Sequence, residues 1–289
     1  MPSRGFVGVR KLHANLRTPI SAAKAKLAQE RRRARTPQAV AYVRERRDVV
    51  CNVAQGSGET RMTIRREAIR ACVFDAYGTL FDVASACARC APALGSKTQG
   101  LASLWREKQL QYTWLRTLQN RYADFWQVTA EALEYAMDTL GVQDANLREQ
   151  LLQSYLRLSA FPEVPETLQV LKQSGYALVI LSNGSPSMLA AAVEHAGVGG
   201  LLDMVISVDE VGVYKPHPKV YGRATERLGL TALQICFFSS NAWDAYAASA
   251  FGMQVVWCNR YGQRSERLPG APDAQISDLS QVQTLLLGR

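Results

Sequence analysis

The strongest constraint on the fold of this chain is a regular alternation of short apolar segments with segments of helical periodicity, which begins at Arg70. The apolar segments are four or five residues long, largely apolar on both faces, and bounded by Gly, Ser, Asn or Asp. Such segments are typical of strands buried in a parallel sheet. The predicted strands are residues 71–74, 177–181, 204–207, 235–238 and 254–258.

Helices are predicted between these strands, and a glycine directly follows each of them, where a left-handed residue commonly ends a helix. Strands that alternate with helices are joined by right-handed crossovers in a doubly wound sheet. The predicted fold class is therefore α/β, with a doubly wound parallel sheet at its core. The predicted helices are residues 167–174, 186–196, 218–228 and 243–251.

Residues 83–160 interrupt the alternation, because they contain no convincing strand and two stretches with apolar residues at a spacing of three or four. A helical insert at this position would form a cap above the carboxyl edge of the sheet. A separate helical domain in series is less favoured, because the sheet needs residues 71–74 as a member. The two periodic sets are Leu101, Leu104, Trp105, Lys108, Tyr112 and Leu115, and Tyr122, Phe125, Trp126, Thr129, Leu133, Met137 and Leu140.

The basic charge of the chain is confined to its first 61 residues. Residues 1–61 carry 14 Lys or Arg and four acidic residues, a net charge of +10, whereas the whole chain carries +9. Such a segment buries too little apolar surface to fold alone. We favour an upstream start codon, with Met62 as the true start. The alternatives are a disordered arm that binds anionic polymers such as nucleic acid, and an Arg-rich targeting peptide.

Composition excludes several classes of protein. With 47% hydrophobic and 20% charged residues, the chain is neither disordered as a whole nor collagen-like nor a coiled-coil array. No uncharged apolar run approaches the ~18 residues of a membrane span. Six cysteines in 289 residues do not make a disulfide scaffold. We therefore expect a cytoplasmic globular protein.

Polar clusters stand at the carboxyl ends of the predicted strands, where the reactive groups of open α/β sheets lie. Because these ends meet at one edge of the sheet, the clusters should converge on a single crevice. An Asp directly after an apolar strand, with Gly and Thr three and four residues later, suits a turn that exposes a carboxylate. The clusters are Asp75-Ala76-Tyr77-Gly78-Thr79, Ser182-Asn183-Gly184, Tyr214-Lys215-Pro216 and Ser239-Ser240-Asn241-Ala242-Trp243-Asp244.

These clusters resemble the haloacid dehalogenase superfamily and, within it, the L-2-haloacid dehalogenases, also called type II (S)-2-haloacid dehalogenases. The segment Leu104-Trp105-Arg106-Glu107-Lys108-Gln109-Leu110 resembles their cap, and the likeness covers residues 68–285 but not the extension 1–61. The resemblance implies a Rossmann-like core of residues 62–82 and 161–289 with a helical cap at 83–160. It also implies a homodimer, no cofactor and no metal.

The resemblance implies a covalent mechanism in which Asp75 is the nucleophile. Asp75 would attack C2 of an L-2-haloalkanoic acid, expel halide with inversion and form an aspartyl ester, which water cleaves to a D-2-hydroxy acid. Lys215 is expected to keep Asp75 ionised. Asp244 with Asn241 is expected to position or deprotonate the hydrolytic water.

The remaining site residues follow from the same resemblance. Ser239 and Thr79 are expected to hydrogen-bond the Asp75 carboxylate, and Tyr221 and Lys215 to complete that network. The substrate carboxylate is expected to bind Ser182 and the backbone N–H groups that begin at Ala76, and the halide to lie between Arg106 and Asn183. An apolar wall around the substrate carbon atoms is expected from Tyr77, Leu110, Phe125 and Trp243.

A magnesium-dependent phosphatase or phosphonatase is the main alternative. Such an enzyme needs a second acid two residues after the nucleophile to protonate its leaving group, and Tyr77 occupies that position. It also needs further carboxylates at the fourth cluster, where the chain has Ser240-Asn241 and few oxygen ligands for a hard cation. A nucleic-acid binder that uses the basic arm is a remoter alternative, and the near-neutral charge of residues 62–289 disfavours it.

Overall fold

A computed structural model of the protein describes residues 64–288. The predictions for residues 1–61 and for a start at Met62 lie outside the described residues. Between residues 64 and 288, the chain has no helix that is long and apolar enough to cross a membrane.

Six parallel strands form one sheet at the centre of the described chain. They are β1 (Ala71–Phe74), β2 (Ala177–Ser182), β3 (Met204–Ser207), β4 (Ile235–Ser239), β5 (Gln254–Cys258) and β6 (Ala274–Ile276). Their order is β3-β2-β1-β4-β5-β6, with every neighbouring pair parallel. The order reverses beside β1, as in doubly wound sheets, and the predicted fold class is confirmed.

The five predicted strands correspond to β1–β5 with ends that agree to within one residue. The sixth strand was not predicted, because it has only three residues and exposes the middle one, Gln275. Strands β1 and β4 are buried along their whole length, and Phe74 stacks on Phe238 across them at 4.8 Å between ring centroids. The apolar character on both faces of these strands therefore reflects helices that cover the sheet on both sides.

Helices connect the strands and fill the insert between β1 and β2. In residues 64–288 they are α1 (Ala84–Arg89), α2 (Ala91–Leu94), α3 (Thr98–Leu118), α4 (Phe125–Thr139), α5 (Ala145–Tyr155), α6 (Val164–Gln173), α7 (Pro186–His195), α8 (Pro218–Leu228), α9 (Ala242–Phe251) and α10 (Val282–Leu287). The four predicted helices are α6–α9. Helix α6 begins three residues earlier than predicted, because Pro165 fits the first turn, where its missing N–H needs no partner. Gly229 and Gly252 end α8 and α9 with φ of 64° and 114°, as predicted.

Helices α1–α5 all lie between β1 and β2, in the segment predicted to be a helical insert. The two ends of this segment run side by side: the Asp82 N–H donates to the Ser159 carbonyl at 2.9 Å, and the Phe161 N–H donates to the Leu80 carbonyl at 3.0 Å. Both connections therefore leave the sheet at the carboxyl end of β1, beside the polar cluster that follows this strand.

The buried face of α3 differs from the predicted one. Leu101 and Trp105 are buried as expected, but the stripe continues through Gln109 and Thr113, and Leu115 is 44% exposed. A spacing of four residues from Leu101 connects these positions on one face. The prediction omitted Gln109 because a polar amide is seldom buried, and here hydrogen bonds inside the insert satisfy that amide.

Candidate active site

The carboxyl ends of the three central strands bring the predicted clusters together. Asp75 directly follows β1, Ser182 ends β2 and Ser239 ends β4, while Asp244 lies in the first turn of α9. Lys215 reaches the same place from the loop that precedes α8, and its backbone N–H donates to Asn183 Oδ1 at 3.0 Å. The predicted convergence of the four clusters is thus present in the structure.

A buried lysine links two buried carboxylates at the centre of the crevice. Lys215 Nζ lies 3.0 Å from Asp75 Oδ1 and 2.8 Å from Asp244 Oδ2. Lys215 is 1%, Asp75 6% and Asp244 0% exposed. Burial alone would lower the pKa of Lys215, but the Asp244 and Asp75 carboxylates outweigh it and raise the pKa above its usual value. The side chain therefore stays an ammonium group.

The other oxygen of Asp75 has two further donors. Thr79 Oγ1 donates to Asp75 Oδ2 at 3.1 Å, and Asn241 Nδ2 donates to the same atom at 2.9 Å. The Ser240 N–H donates to Thr79 Oγ1 at 2.8 Å, which fixes the hydroxyl in place. Asn241 therefore contacts the nucleophile candidate itself, whereas the sequence analysis placed it beside Asp244 at the hydrolytic water.

The environment of Asp244 corrects another expected contact. Tyr221 donates its hydroxyl to Asp244 Oδ1 at 2.6 Å, and Ser239 Oγ donates to Asp244 Oδ2 at 3.1 Å. Ser239 and Tyr221 thus hold Asp244 rather than Asp75, because Ser239 stands at the start of the turn that leads into α9. Burial raises the pKa of the Asp244 carboxyl above its ordinary value, although Lys215 opposes this rise.

The turn after β2 lies under the ring of Tyr77. Ser182 Oγ accepts a hydrogen bond from the Gly184 N–H at 3.1 Å, and the Gly184 carbonyl accepts one from Ser207 at 2.6 Å. A Cβ at Gly184 would lie 2.8 Å from the Tyr77 ring, so any larger residue would have to displace that ring. Asn183 Oδ1 accepts the Lys215 N–H and so supports the Lys215 loop, and its expected contact with the halide stays a prediction.

Aromatic side chains from the insert cover this turn. The Tyr77 ring lies 5.6 Å from those of Phe125 and Tyr155. Within residues 64–288, the buried Tyr77 hydroxyl has no hydrogen-bond partner, and burial raises its pKa well above the usual value. Trp243 packs edge-to-face against Trp114 of α3 at 5.5 Å. Leu110 lies on α3 one turn beyond Arg106, and the wall around the substrate carbon atoms stays a prediction.

Arg106, on α3 of the insert, brings a positive charge to the site beside Asn241. Its guanidinium donates to Gln109 Oε1 at 2.8 Å and to Asn241 Oδ1 at 3.4 Å. In the described part of the chain, Arg106 has no carboxylate within ion-pair distance. A guanidinium beside the nucleophile cluster without an anionic partner is suited to receive an anion.

Two contributors were missed by the sequence analysis. Gln109 is buried, and the side chain of Arg260 is 7% exposed. Gln109 lies in the segment that resembles the dehalogenase cap but was assigned no role there, and Arg260 belongs to none of the predicted clusters. Arg260 donates to the Thr79 carbonyl at 2.8 Å, pairs with Glu163 at 2.6 Å and lies 3.8 Å above the Phe161 ring. It thereby joins the turn after Asp75 to the end of the insert, a long-range contact that no local pattern signals.

Comparisons with known proteins agree with this geometry. The haloacid dehalogenase-like hydrolase family model matches residues 69–252. The (S)-2-haloacid dehalogenase 4A of Burkholderia cepacia is 45% identical over 221 residues, which are 76% of this chain and 96% of the relative. The (S)-2-haloacid dehalogenase 1 of Pseudomonas sp. strain CBS-3 is 46% identical over 76% of this chain and 97% of its own.

A solved structure extends the likeness to three dimensions. The L-2-haloacid dehalogenase from Xanthobacter autotrophicus with chloropropionic acid covalently bound has a TM-score of 0.72 at 38% identity. The match covers 76% of this chain and 99% of that one. The fold, the site and the relatives, which match over most of their length, all indicate the same family. The chain belongs to the (S)-2-haloacid dehalogenases of the haloacid dehalogenase-like hydrolase family.

Proposed function

We propose that the chain hydrolyses L-2-haloalkanoic acids to D-2-hydroxy acids and halide through an ester on Asp75. The observation that carries this proposal is the buried Lys215 ammonium between Asp75 and Asp244. A carboxylate held ionised by an ammonium is a weak base that can still attack carbon. The covalent adduct of chloropropionic acid in the Xanthobacter autotrophicus relative supports the same route.

In the first step, an oxygen of Asp75 attacks C2 from the side opposite the halogen. Asp75 Oδ2 accepts from Thr79 and Asn241, whereas Oδ1 accepts only from Lys215 among the described residues. Oδ1 therefore has the freer lone pair and is assigned as the attacking atom. The new C–O bond forms as the C–halogen bond breaks, and the halide leaves with the bonding electrons and inversion at C2.

Two sets of groups are assigned to the substrate. The backbone N–H groups of Ala76 and Tyr77, which have no partner within residues 64–288, and the Ser182 hydroxyl would bind the carboxylate. Arg106 and Asn183 would receive the halide. The apolar wall of Tyr77, Leu110, Phe125 and Trp243 would enclose the carbon atoms.

In the second step, water attacks the carbonyl carbon of the Asp75 ester. Asp244 would accept the water proton, because burial makes its carboxylate more basic than an exposed one. Tyr221, Ser239 and Lys215 hold both Asp244 oxygens in place. The bond between the Asp75 carbonyl carbon and the ester oxygen then breaks, and the proton held by Asp244 passes to the departing alkoxide. The D-2-hydroxy acid leaves with the former Asp75 oxygen, the water oxygen stays in the Asp75 carboxylate, and the second water proton is released to solvent.

The donor set does not fit the magnesium ion that many phosphate-transfer members of the superfamily use. Lys215 Nζ occupies the space between Asp75 and Asp244 where a cation would need to bind. Tyr77 stands where a second carboxylate would be required, and residues 64–288 contain no cluster of three His, Cys, Asp or Glu side chains suited to a metal. We therefore propose a metal-independent reaction.

The test is halide release from the two enantiomers of 2-chloropropionate, with and without EDTA. We expect release from the L enantiomer at a rate that EDTA leaves unchanged. Hydrolysis of p-nitrophenyl phosphate stimulated by magnesium, without halide release, would support the phosphatase alternative instead.

A single turnover in ¹⁸O-water with excess enzyme tests the covalent step. We expect largely unlabelled hydroxy acid and label in Asp75, because the first product oxygen comes from the carboxylate. Labelled product with unlabelled Asp75 would show direct attack of water on C2 and end the covalent proposal.

A homodimer through the insert is part of the proposal. The outer surface of α3 and α4 exposes Leu115, Leu118 and Tyr135 at 44%, 79% and 43%. Clustered exposed apolar side chains suit burial against a second copy of the same surface. Light scattering after size-exclusion chromatography should give twice the chain mass, and Leu118→Glu should shift it toward the monomer.

The compartment and the partners are also proposed. All five cysteines within residues 64–288 are free and buried, which suits a reducing cytoplasm. The substrate is a small haloacid, and no nucleic acid is expected to bind, because the basic excess lies outside the catalytic body. Salt-sensitive DNA binding by residues 62–289 alone would contradict this.

A further inference from the structure

Gln109 stands at the centre of a closed hydrogen-bond network in the insert. It is 1% exposed, and its Nε2 donates to Thr129 Oγ1 at 2.7 Å. Its Oε1 accepts from Arg106 at 2.8 Å and from the Tyr155 hydroxyl at 3.1 Å. Thr129 and Tyr155 are buried as well.

The donors and acceptors of this network allow only one orientation of the Gln109 amide. The Thr129 hydroxyl proton is committed to the Phe125 carbonyl, which can only accept, at 2.6 Å. Thr129 Oγ1 can therefore only accept from Gln109, and the amide nitrogen must face it. The amide oxygen then faces Arg106 and Tyr155, and a guanidinium can only donate. Every polar atom of Gln109 is thus paired, which makes the network rigid.

We propose that Gln109 is a positioning residue that fixes the Arg106 guanidinium for the departing halide. This inference rests on the proposed function, because it assigns Arg106 to that halide. The hydrogen bond from Arg106 to Asn241 Oδ1 is long, at 3.4 Å. Arg106 has no carboxylate partner in residues 64–288. Among the described residues, Gln109 Oε1 accepts the one short side-chain hydrogen bond that the Arg106 guanidinium donates. This bond sets the direction in which the remaining N–H groups of Arg106 point.

If Gln109 positions Arg106 for the halide, the rate lost on replacing Gln109 should depend on which halide leaves. Chloride is a poorer leaving group than bromide, so its departure needs more help from a correctly aimed guanidinium. Loss of the Gln109 acceptor should therefore slow chloride departure more than bromide departure. A residue that only stabilises the fold would lower both rates alike.

The experiment compares Gln109→Met, which keeps the length of the side chain but removes the acceptor, with Tyr155→Phe, which removes another hydrogen bond of the network and leaves the Gln109 acceptor of Arg106 in place. Halide release is measured as kcat/KM for L-2-chloropropionate and L-2-bromopropionate, because this parameter covers the steps through carbon–halogen cleavage. We expect Q109M to lose about tenfold on the chloro substrate and about threefold on the bromo substrate. Y155F should keep the wild-type ratio of the two to within about twofold.

A double-mutant cycle with Arg106→Lys separates positioning from folding, because an ammonium lacks the planar fork that Gln109 aligns. In the R106K background, Q109M should cost less than about twofold in kcat/KM. Equal losses on both substrates, or full additivity with R106K, would overturn the proposal. If Q109M does not fold, a ratio in Y155F shifted as far as that of R106K would overturn it. Wild-type enzyme that releases no halide would instead refute the proposed function itself.

Discussion

Replacing Lys215 with methionine should remove the one cation that two buried carboxylates share. Nζ lies 3.0 Å from Asp75 and 2.8 Å from Asp244, and the side chain is 1% exposed. At an effective dielectric constant near 20, each contact supplies about 6 kcal/mol of Coulomb attraction before desolvation. Because breaking a buried pair leaves its charges uncompensated, we expect Lys215→Met to cost about 3–5 kcal/mol of folding stability near pH 8.

The same change should make stability depend on pH. In the folded variant the two carboxylates lie close together without the ammonium, so the pair retains a proton that the unfolded chain has already released. The folded state then binds more protons than the unfolded state, and stability falls as pH rises, by up to about 1.4 kcal/mol per pH unit. Thermal melts from about pH 5 to pH 8 should therefore diverge between Lys215→Met and the wild type, most widely at the alkaline end.

Activity should fall with stability, because Asp75 attacks only as a carboxylate. We expect kcat/KM for L-2-chloropropionate to fall by about a thousandfold or more, equivalent to about 4 kcal/mol. Lys219→Met is the matched control, since Lys219 is exposed and lies in the first turn of α8, four residues after Lys215 in the sequence. A Lys215→Met variant within about tenfold of wild-type activity, or a melting difference that pH does not change, would refute this reasoning.

Three further predictions concern the neighbouring groups. Asp75→Asn should abolish halide release, because an amide does not attack C2; near-normal turnover in freshly purified variant would reject the nucleophile. Asp244→Asn should accumulate the Asp75 ester, visible by mass spectrometry. Burial raises the pKa of Asp244 in the folded chain, so the wild type loses stability relative to Asp244→Asn as pH rises above about 4. A wild type that instead gains stability relative to Asp244→Asn over this range would contradict the assigned burial cost. Gly184→Ala should push the Tyr77 ring, which its Cβ would meet at 2.8 Å, and raise KM about tenfold with a loss of about 1–3 kcal/mol of stability; an unchanged KM would remove Tyr77 from the pocket.

The sheet was predictable because its signal is local. A strand buried on both faces is a continuous run of apolar residues, which can be recognised in the sequence. The residue that follows such a run lies at the carboxyl edge of the sheet, as Asp75 does. The short β6 lacks such a run. Backbone pairing with β5 holds β6 in the sheet, and three residues are too few to show a sequence pattern that predicts this pairing.

Contacts between the site residues were less predictable than their presence. The sequence placed Ser239 and Tyr221 near the nucleophile, but which carboxylate each one holds depends on how the turn after β4 enters α9. Gln109 and Arg260 were missed for a related reason. Their partners lie up to 181 residues away in sequence, so only the folded chain shows that their polar groups are satisfied.

The charge of the crevice explains why a haloacid suits it better than a phosphate ester. Asp75 and Asp244 bring two negative charges, and Lys215 and Arg106 bring two positive ones, so the site is balanced before substrate binds. A haloacid adds one negative charge, which backbone N–H groups and the unpaired face of Arg106 can accommodate, and the leaving halide carries its own charge toward that guanidinium. A phosphate monoester would add nearly two charges beside two carboxylates, and the ammonium of Lys215 already fills the position from which a divalent cation would neutralise them. We therefore propose that the pairing of Lys215 with both carboxylates also disfavours phosphate esters.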